Sequence, residues 1–333
     1  MTRQRSLLIT GTVVVLLGLV LLSLAVGSRA IPLADVARAL TDPASVDPET
    51  AAIVRGTRLT RTFVAILAGA ALGLAGAVMQ GLTRNPLADP GLLGVSAGAA
   101  FGIVASATFL AATGLLTTIW FAFGGAALAA VVVYTLGSRG RGGASPVKLA
   151  LAGVALTYLL DSLTSGLALT DPEALDRYRY WSAGSLTGHS NETVLTVLPF
   201  LALGAILAFG TAPALNSLAL GDDVAVTLGR RLGPTRLRAA IAVTVLTGAA
   251  VAVTGPIVFV GLAVPHLVRM VTGPDHRWLL PGAALVAPCL VLVADILGRV
   301  VARPQEIDVS LVAALLGAPF FIALVRRRRV AEL

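Results

Sequence analysis

Apolar segments of a length suited to crossing a bilayer recur along the whole chain, separated by short polar turns. The clearest, residues 62–83, runs for 22 residues without a charged side chain and ends in a polar loop at 84–90 that contains two prolines. A hydrocarbon core about 30 Å thick requires about 20 helical residues, and prolines are costly inside a helix. The pattern therefore predicts a membrane-spanning helix, a tight polar turn and a second span.

Two longer apolar stretches are each predicted to contain two helices. The 49 uncharged residues between Asp89 and Arg139 are too many for one span at about 1.5 Å per residue, so they predict two helices with a turn at Gly114. The run at 239–270 is broken by a Gly-Pro pair at 255–256. It predicts one full span followed by a short or partly re-entrant helix, which a membrane protein tolerates where protein covers the loose backbone.

The first apolar run, at 7–27, exceeds the roughly 7–15-residue apolar core of a signal peptide, so it is interpreted as a retained helix rather than a cleaved leader. The remaining spans are predicted at 149–170, at 193–211 where Pro213 ends the helix, at 279–297 and at 309–325. The chain is thus predicted to be an all-α, polytopic membrane protein. It has about ten transmembrane helices in a single domain, 1–333.

The distribution of basic residues between the two sides of the membrane indicates an even number of spans. With ten spans, most of the 25 lysines and arginines fall on one side, including the four arginines at 326–329. Cytoplasmic loops carry an excess of basic residues. We therefore predict that both termini are cytoplasmic.

Composition supports the membrane class. Hydrophobic residues make up 56% of the 333 residues and charged residues 13%, with a mean hydropathy of +0.89, whereas soluble domains carry about 25% charged residues. The net charge of +8 is spread over short clusters between apolar runs, which argues against a nucleic-acid surface. One cysteine, Cys289, and three scattered histidines give no metal-ligand spacing, so no metal site is predicted.

Nothing in the sequence indicates catalysis by this chain. A phosphate-binding P-loop requires a Gly-Lys-Ser/Thr triplet, but the only lysine, Lys148, stands between Val147 and Leu149. No Ser-His-Asp set or zinc-protease motif appears among the three histidines. The chain is therefore predicted to be neither an enzyme nor the holder of a cofactor.

A weak internal repeat relates the two halves of the chain. Gly-Ala-Ala at 69–71 is followed by a glycine at 76 and a proline at 86. Gly-Ala-Ala at 248–250 is followed at the same spacing by a glycine and a proline, at 255 and 265. The predicted topology runs the first copy inward and the second outward, which predicts an internal inverted repeat of the kind common in transporters.

Two acidic residues, Asp161 and Asp295, lie within apolar runs. An intramembrane acid is a candidate for a transport path. Both lie toward the outer ends of their predicted helices, where Asp161 can meet water and Asp295 can pair with Arg299 one turn later.

The polar segment at 215–237 on the predicted inner side is a candidate for partner binding. Asp222 and Asp223 can cap a short helix that stops at Gly229. Gly221, Ala225 and Gly229 fall four residues apart, which gives a bare face that a partner can approach closely. The same spacing also fits a solvated amphipathic connector, and spacing alone does not decide between them.

Several longer motifs resemble the permease family of ABC importers for iron-siderophore complexes, haem and cobalamin. They include Arg-Leu-x-Arg-Thr at 58–62, NPLADPGLLGVSAGA at 85–99, GPIxFVGLxxPHLVR at 255–269 and LGAPFF at 316–321. These motifs cover nearly the whole chain in order. The resemblance implies a type II importer permease in a bacterial inner membrane, with ferric siderophores as the first choice of cargo ahead of haem and cobalamin.

The resemblance also implies roles for particular residues. Family permeases pair around a central path lined by helices like the fifth and tenth here. Asp161 on the fifth helix is a possible pathway residue because it is an acid within an apolar run. An inner gate is implied at Asn85 and Leu87, with Ser145 at the start of the fifth helix as its second part. The residues implied in docking an ATPase subunit are Gly221, Asp222, Asp223, Ala225, Leu228 and Gly229.

The implied partners are a second permease chain, two ATP-binding subunits that carry the MgATP, an extracytoplasmic substrate-binding protein and membrane lipid. Arg58, Arg61 and Arg299 are implied to be exposed contacts for acidic residues of the binding protein. A bulky residue at position 225 is expected to block ATPase docking without unfolding the chain.

The alternative class is a self-contained secondary transporter, which needs an intramembrane ion site and no partner. A membrane enzyme is a weaker third.

Overall fold

The computed structural model describes residues 2–110, 114–139 and 145–331, and the regular secondary structure of these residues is helical throughout. The helices are α1 (Thr2–Ala25), α2 (Leu33–Thr41), α3 (Pro48–Ala52), α4 (Leu59–Thr83), α5 (Val95–Leu110), α6 (Leu115–Ser138), α7 (Pro146–Thr170), α8 (Pro172–Ser182), α9 (Asn191–Leu218), α10 (Asp222–Thr227), α11 (Leu232–Thr254), α12 (Val260–Thr272), α13 (His276–Val301) and α14 (Val309–Ala331). A π-helical turn, Ile53–Arg58, joins α3 to α4, and short 3-10 turns occur at Pro43–Ser45 and Pro90–Leu93.

Ten of these helices correspond to the ten predicted spans. Within the described residues, seven are long and apolar enough to cross a membrane: α1, α4, α6, α7, α9, α11 and α13. Three more are apolar but shorter, namely α5, α12 and the Val309–Pro319 part of α14. The prediction of an all-α polytopic protein with about ten membrane helices is confirmed, including the turn at Gly114 and the break at 255–256.

We call the end of the bundle that carries the 84–90 loop the inner end, following the charge-based orientation, and the opposite end the outer end. At the inner end, Arg5 of α1 donates two hydrogen bonds to the Thr272 carbonyl at 3.2 and 2.9 Å and stacks over Trp278. The side chains of the four arginines at 326–329, which support this orientation, lie outside the described residues.

The expectation that Pro213 ends the sixth span is wrong. Helix α9 continues through Pro199 and Pro213 to Leu218, so it is longer than predicted. Membrane helices tolerate proline because neighbouring helices and hydroxyl side chains compensate for the missing hydrogen bond. Near Pro213, the Thr211 hydroxyl donates to the Ala208 carbonyl at 2.6 Å and the Ser217 hydroxyl to the Pro213 carbonyl at 3.1 Å. Neither bond reaches the Phe209 carbonyl, which is the acceptor that Pro213 leaves without its helical donor.

Helix α4 forms the centre of the bundle, where α9, α11, α12 and α13 surround it. Its glycines allow this close packing. A Cβ at Gly69 would lie 2.8 Å from the Pro288 backbone, one at Gly73 would lie 2.6 Å from the Ala283 carbonyl, and one at Gly76 would overlap the carbonyl of Gly261. Because lipid gives little drive for apolar association, such close backbone contact is a main source of helix packing in membranes.

Gly94, Gly98 and Gly102 fall four residues apart, a spacing that predicts a small-residue stripe for close helix packing, and the structure confirms this for two of them. A Cβ at Gly98 or at Gly102 would overlap carbonyl oxygens of α6, those of Gly125 and Phe121 respectively. Gly94 instead lies before α5, where its φ of 70° ends the preceding 3-10 turn. Two of the three glycines therefore pack helices, and the third shapes a turn.

The internal repeat does not extend to equivalent prolines. The glycines at 69 and 76 both lie inside α4, whereas α11 ends just before Gly255, which has a φ of 69°. Pro86 lies in a loop and Pro265 inside α12. The inverted relation of the two halves stays a prediction.

Candidate gate, coupling and docking sites

The predicted gate loop after α4 is held by hydrogen bonds within itself. Arg84 ends the helix in the left-handed conformation, with a φ of 52°. The Asn85 Oδ1 atom accepts from the Leu87 amide at 2.9 Å, and the Asp89 Oδ1 atom accepts from the Gly91 amide at 2.8 Å. These turns leave the Asn85 and Leu87 side chains exposed, Leu87 to 45%. Both are therefore available to contact another chain, and their role as a gate stays a prediction.

Ser145 begins α7. Its side-chain oxygen accepts from the Lys148 amide at 3.4 Å, and Pro146 occupies the first helical position. Serine at the N-cap and proline at the next position are both favoured at a helix start. The structure thus gives Ser145 a capping role, and its share in the gate stays a prediction.

The predicted docking segment folds into α10 between two glycines that have a positive φ. Gly221 has a φ of 105° and Gly229 a φ of 78°, a region that residues with a Cβ rarely adopt. Gly221 takes the N-cap position, so the expectation that Asp222 and Asp223 cap the helix is wrong. Both carboxylates lie in the first turn instead, where the helix dipole favours negative charge.

The expectation of a bare face is wrong for Ala225, although the space beside Gly221 and Gly229 is open. Ala225 is fully buried in the bundle core, at 0% exposure, and its carbonyl accepts from the Arg230 amide at 2.9 Å. The small side chain lets α10 lie against its own chain, not against a partner. Four of the exposed side chains around it are apolar, beside exposed Asp223 and Thr227. We call Leu220, Val224, Val226 and Leu228, which are 64%, 43%, 53% and 57% exposed, the α10 surface.

Asp222 connects α10 to two other segments. One carboxylate oxygen lies 2.7 Å from an Arg236 nitrogen on α11 and the other lies 3.4 Å from an Arg84 nitrogen at the start of the gate loop. Arg236 is largely buried, whereas Arg84 and Asp222 are partly exposed. The geometry therefore joins the predicted docking segment to the predicted gate loop by one ion pair.

At the outer end, five charged residues form what we call the outer arginine cluster: Arg58, Arg61, Arg299, Asp295 and Glu306. Arg61 pairs with Asp295 at 2.7 Å and with Glu306 at 2.6 Å. Arg299 pairs with Asp295 at 2.8 Å, which confirms the pairing expected from their spacing. A network of this kind satisfies charges that would be costly to bury singly.

The same cluster holds the C-terminal end of α1. Arg58 donates to the carbonyls of Leu24 and Ala25 at 2.7 and 2.9 Å. Arg299 donates to the carbonyls of Ser23 and Val26 at 2.9 and 2.8 Å. Cations at a helix C-terminus satisfy its free carbonyls and complement its dipole.

The expected exposure of the three arginines is therefore wrong. Arg58, Arg61 and Arg299 are 5%, 8% and 2% exposed, because carboxylates and helix-end carbonyls of their own chain surround them. Arg55 and Arg303 near them in the chain are exposed. A direct contact between these arginines and a binding protein stays a prediction, but the exposure that it assumed is absent from the structure.

Helix α7 presents an exposed stripe along most of its length. Leu151, Val154, Tyr158 and Leu169 are 66%, 45%, 71% and 81% exposed, and Asp161 is exposed on the same face. A carboxylate facing hydrocarbon is costly, so such residues face a protein interior or a water-filled space. The side of the bundle that carries this stripe therefore requires a protein or a water-filled space against it, rather than lipid alone.

A cavity of about 920 Å³ opens between α6, α8 and α11 at the outer end. Its lining combines the bases Arg177, Arg179 and His189 with the acids Asp176 and Asp308 and with hydroxyl and apolar residues. Burial lowers the pKa of His189, because desolvation disfavours the charged imidazolium. The Trp181 indole closes one wall by donating to the Val251 carbonyl at 3.0 Å.

Two features of these sites were missed by the sequence reasoning. The link from Asp222 to Arg84 and Arg236 joins residues far apart in the chain, and no local pattern signals it. The cavity at the outer end is lined by Tyr180, Trp181 and Ser185, and no local sequence pattern signals a cavity there. Among the described residues, no group of histidine, cysteine and acidic side chains is placed to hold a metal ion.

Comparison with known proteins gives consistent matches. The profile of the FecCD transport family matches residues 15–327, which include every motif quoted above. The ferric enterobactin transport system permease protein FepD of Escherichia coli (strain K12) is 47% identical over 325 residues, covering 97% of this chain and 96% of that protein. The hemin transport system permease protein HmuU of Yersinia pestis is 42% identical over 277 residues, 82% of each chain.

One solved structure has the same fold. It is an inward-facing conformation of a transporter assigned to the metal-chelate type of ABC transporters. The TM-score is 0.84 at 29% identity, and the alignment covers 96% of this chain and 98% of that one.

Proposed function

Because the chain belongs to the FecCD transport family, we propose that it is the membrane-spanning permease of an ATP-driven importer for a ferric siderophore. It is a multi-pass permease of the class of ABC importers that serve siderophores, haem, citrate or cobalamin. Beyond this class, we propose that ATP drives transport, which partner proteins bind and which cargo is carried. The observation that carries it is the exposed α10 surface, which Asp222 joins to the gate loop.

ATP hydrolysis belongs to a separate subunit in this proposal. The chain has no Gly-Lys-Ser/Thr triplet to hold phosphates, so the MgATP binds to its partners. An exposed apolar patch on a polar inner surface is typical of a protein interaction site. The α10 surface supplies such a patch for each of two ATPase subunits, one per permease chain.

A second permease chain covers the α7 stripe. The exposed Asp161 requires a polar or aqueous neighbour, which lipid does not provide. Pairing across α7 places this carboxylate against the central path between the two chains. The second chain is either identical or a related permease.

Transport proceeds by alternating access, in which ATP binding shifts the balance between two conformations. Closure of the ATPase subunits moves α10, and the ion pair from Asp222 to Arg84 passes this displacement to the gate loop. Asn85 and Leu87 then move relative to Ser145 on α7. No step requires chemistry from this chain.

The substrate-binding protein docks on the exposed outer surface around the outer arginine cluster. Arg58, Arg61 and Arg299 contribute by joining α1, α4 and α13 rather than by direct contact. We place the protein in a bacterial inner membrane with both termini in the cytoplasm.

A ferric siderophore is the proposed cargo because the relative with 47% identity is named for ferric enterobactin transport. The test is to titrate the cognate binding protein with a ferric catecholate, a ferric hydroxamate, haem and cobalamin and to follow its intrinsic fluorescence. We expect a ferric siderophore to bind most tightly. Tight binding of haem or cobalamin alone would overturn the cargo and leave the permease assignment intact.

A further inference from the structure

We propose that a cleft between α9 and α11 at the inner end binds the phosphate headgroup of an anionic phospholipid. The cleft encloses about 100 Å³, well above the roughly 10–15 Å³ that one water molecule requires. Its lining residues are Gly210, Thr211, Ala214, Arg231, Pro234, Thr235 and Arg238. The set contains two cations, two hydroxyl groups and no acid.

The two arginines lie on one face of α11. Arg231 immediately precedes the helix and Arg238 follows seven residues later, which is close to two turns. Both side chains are exposed, and in the part of the chain that the structure describes neither forms an ion pair. Their neighbours differ: Arg236 pairs with Asp222, and Arg230 donates to the Ser217 hydroxyl at 3.3 Å. Arg231 and Arg238 thus bring two uncompensated positive charges to one cleft.

The α9 side leaves room for a ligand between these charges. A Cβ added at Gly210 would meet nothing within 4 Å, so the space beside it is open. The Thr211 hydroxyl is engaged with the Ala208 carbonyl, whereas Thr235 adds a hydroxyl between the arginines in sequence. A guanidinium fork matches phosphate oxygens in geometry, which favours arginine over lysine for this ligand.

The position of the cleft and the apolar residues near it favour a lipid ligand over a free anion. The cleft lies at the inner end of two membrane-spanning helices, where headgroups are found. Above it, one turn toward the bilayer, Ile206 of α9 and Ile241 of α11 are 69% and 43% exposed. They form an apolar track on which acyl chains can lie. Basic pockets between membrane helices on the cytoplasmic side are a recognised setting for anionic headgroups.

The test compares purified full-length protein with the double variant Arg231→Gln/Arg238→Gln. Detergent micelles are titrated with phosphatidylglycerol or phosphatidylcholine, and lipid binding is measured by native mass spectrometry and thermal unfolding. Arg139→Gln/Arg277→Gln is the matched control, since both are exposed basic residues at the inner end. We expect phosphatidylglycerol to bind selectively. The cleft variant should lose about 30-fold in affinity, as each interfacial arginine contributes about fivefold, and the control should retain the affinity.

Equal affinity in the cleft variant and the control would overturn the proposal. So would thermal protection of the wild type by inorganic phosphate as large as that by phosphatidylglycerol, since the site would then bind a free anion. A third contrary result is a cleft variant that binds lipid normally but no longer co-purifies with the ATPase subunits, which would make the arginines a protein contact. Unfolding temperatures without added lipid establish that the variants are folded.

Discussion

Removal of the Asp222 carboxylate should uncouple ATP hydrolysis from transport. Asp222 pairs with Arg84 at 3.4 Å and with Arg236 at 2.7 Å, so it joins α10 to the gate loop and to α11. Asp222→Asn keeps the shape of the side chain and removes its charge. We expect the variant to insert and to bind its ATPase subunits, because the α10 surface is unchanged, and to transport less substrate per ATP.

The two ion pairs differ in strength. Arg84 and Asp222 have side chains 40% and 36% exposed, and such exposed pairs are worth about 0.2–1 kcal/mol. Arg236 is 9% exposed and its contact is short, so a charged hydrogen bond worth about 1.5–3 kcal/mol is lost there. Asp222→Asn should therefore reduce stability mainly through Arg236. Arg84→Gln should reduce coupling with little loss of stability.

The assay is a double-mutant cycle in vesicles that contain the permease and its ATPase subunits. Arg84→Gln, Asp222→Asn and the double variant are compared by substrate imported per ATP hydrolysed. Asp223→Asn is the matched control, since it removes the same charge from the same helical turn. We expect the double variant to be no worse than Asp222→Asn alone. Normal coupling in Arg84→Gln, or purely additive losses, would refute the connection.

Three further results are expected. Arg299→Gln should destabilise the protein by about 1.5–3 kcal/mol, because buried Asp295 keeps Arg61 but loses one of its two charged partners, whereas exposed Arg303→Gln should leave the unfolding temperature unchanged. Ala225→Trp should cost at least about 1–3 kcal/mol by overfilling a buried site, while Leu228→Asp should keep the unfolding temperature and lose ATPase binding in co-purification. Gly76→Leu should prevent a monodisperse peak in size-exclusion chromatography, since its side chain would overlap the backbone of α12.

The order and number of the apolar helices follow from the sequence because span length is set by bilayer thickness. The 49-residue run had to contain two helices, and the second begins directly after Gly114 as predicted. Pro213 misled the prediction of a helix end, since the same proline that ends a helix in water is tolerated when neighbouring groups compensate for its missing donor. Local residue preference therefore predicts breaks less well than it predicts spans.

Sequence reasoning located the segments that form the sites, but it did not show which of their side chains are exposed. The spacing of small residues located α10 correctly, but it does not tell whether Ala225 faces a partner or its own chain, because both require a small side chain. The arginines at 58, 61 and 299 lie near helix ends, where exposure is usual. Their burial depends on Asp295, Glu306 and the end of α1, which only the tertiary structure brings to them.

Uptake by reconstituted vesicles tests the central claim most directly. Vesicles that contain the permease, with or without its ATPase subunits and with ATP inside, are exposed to binding protein loaded with a ferric siderophore. We predict accumulation of iron only when the ATPase subunits and ATP are both present. Uptake by the permease alone that follows an imposed ion gradient would contradict the account and make the chain a secondary transporter.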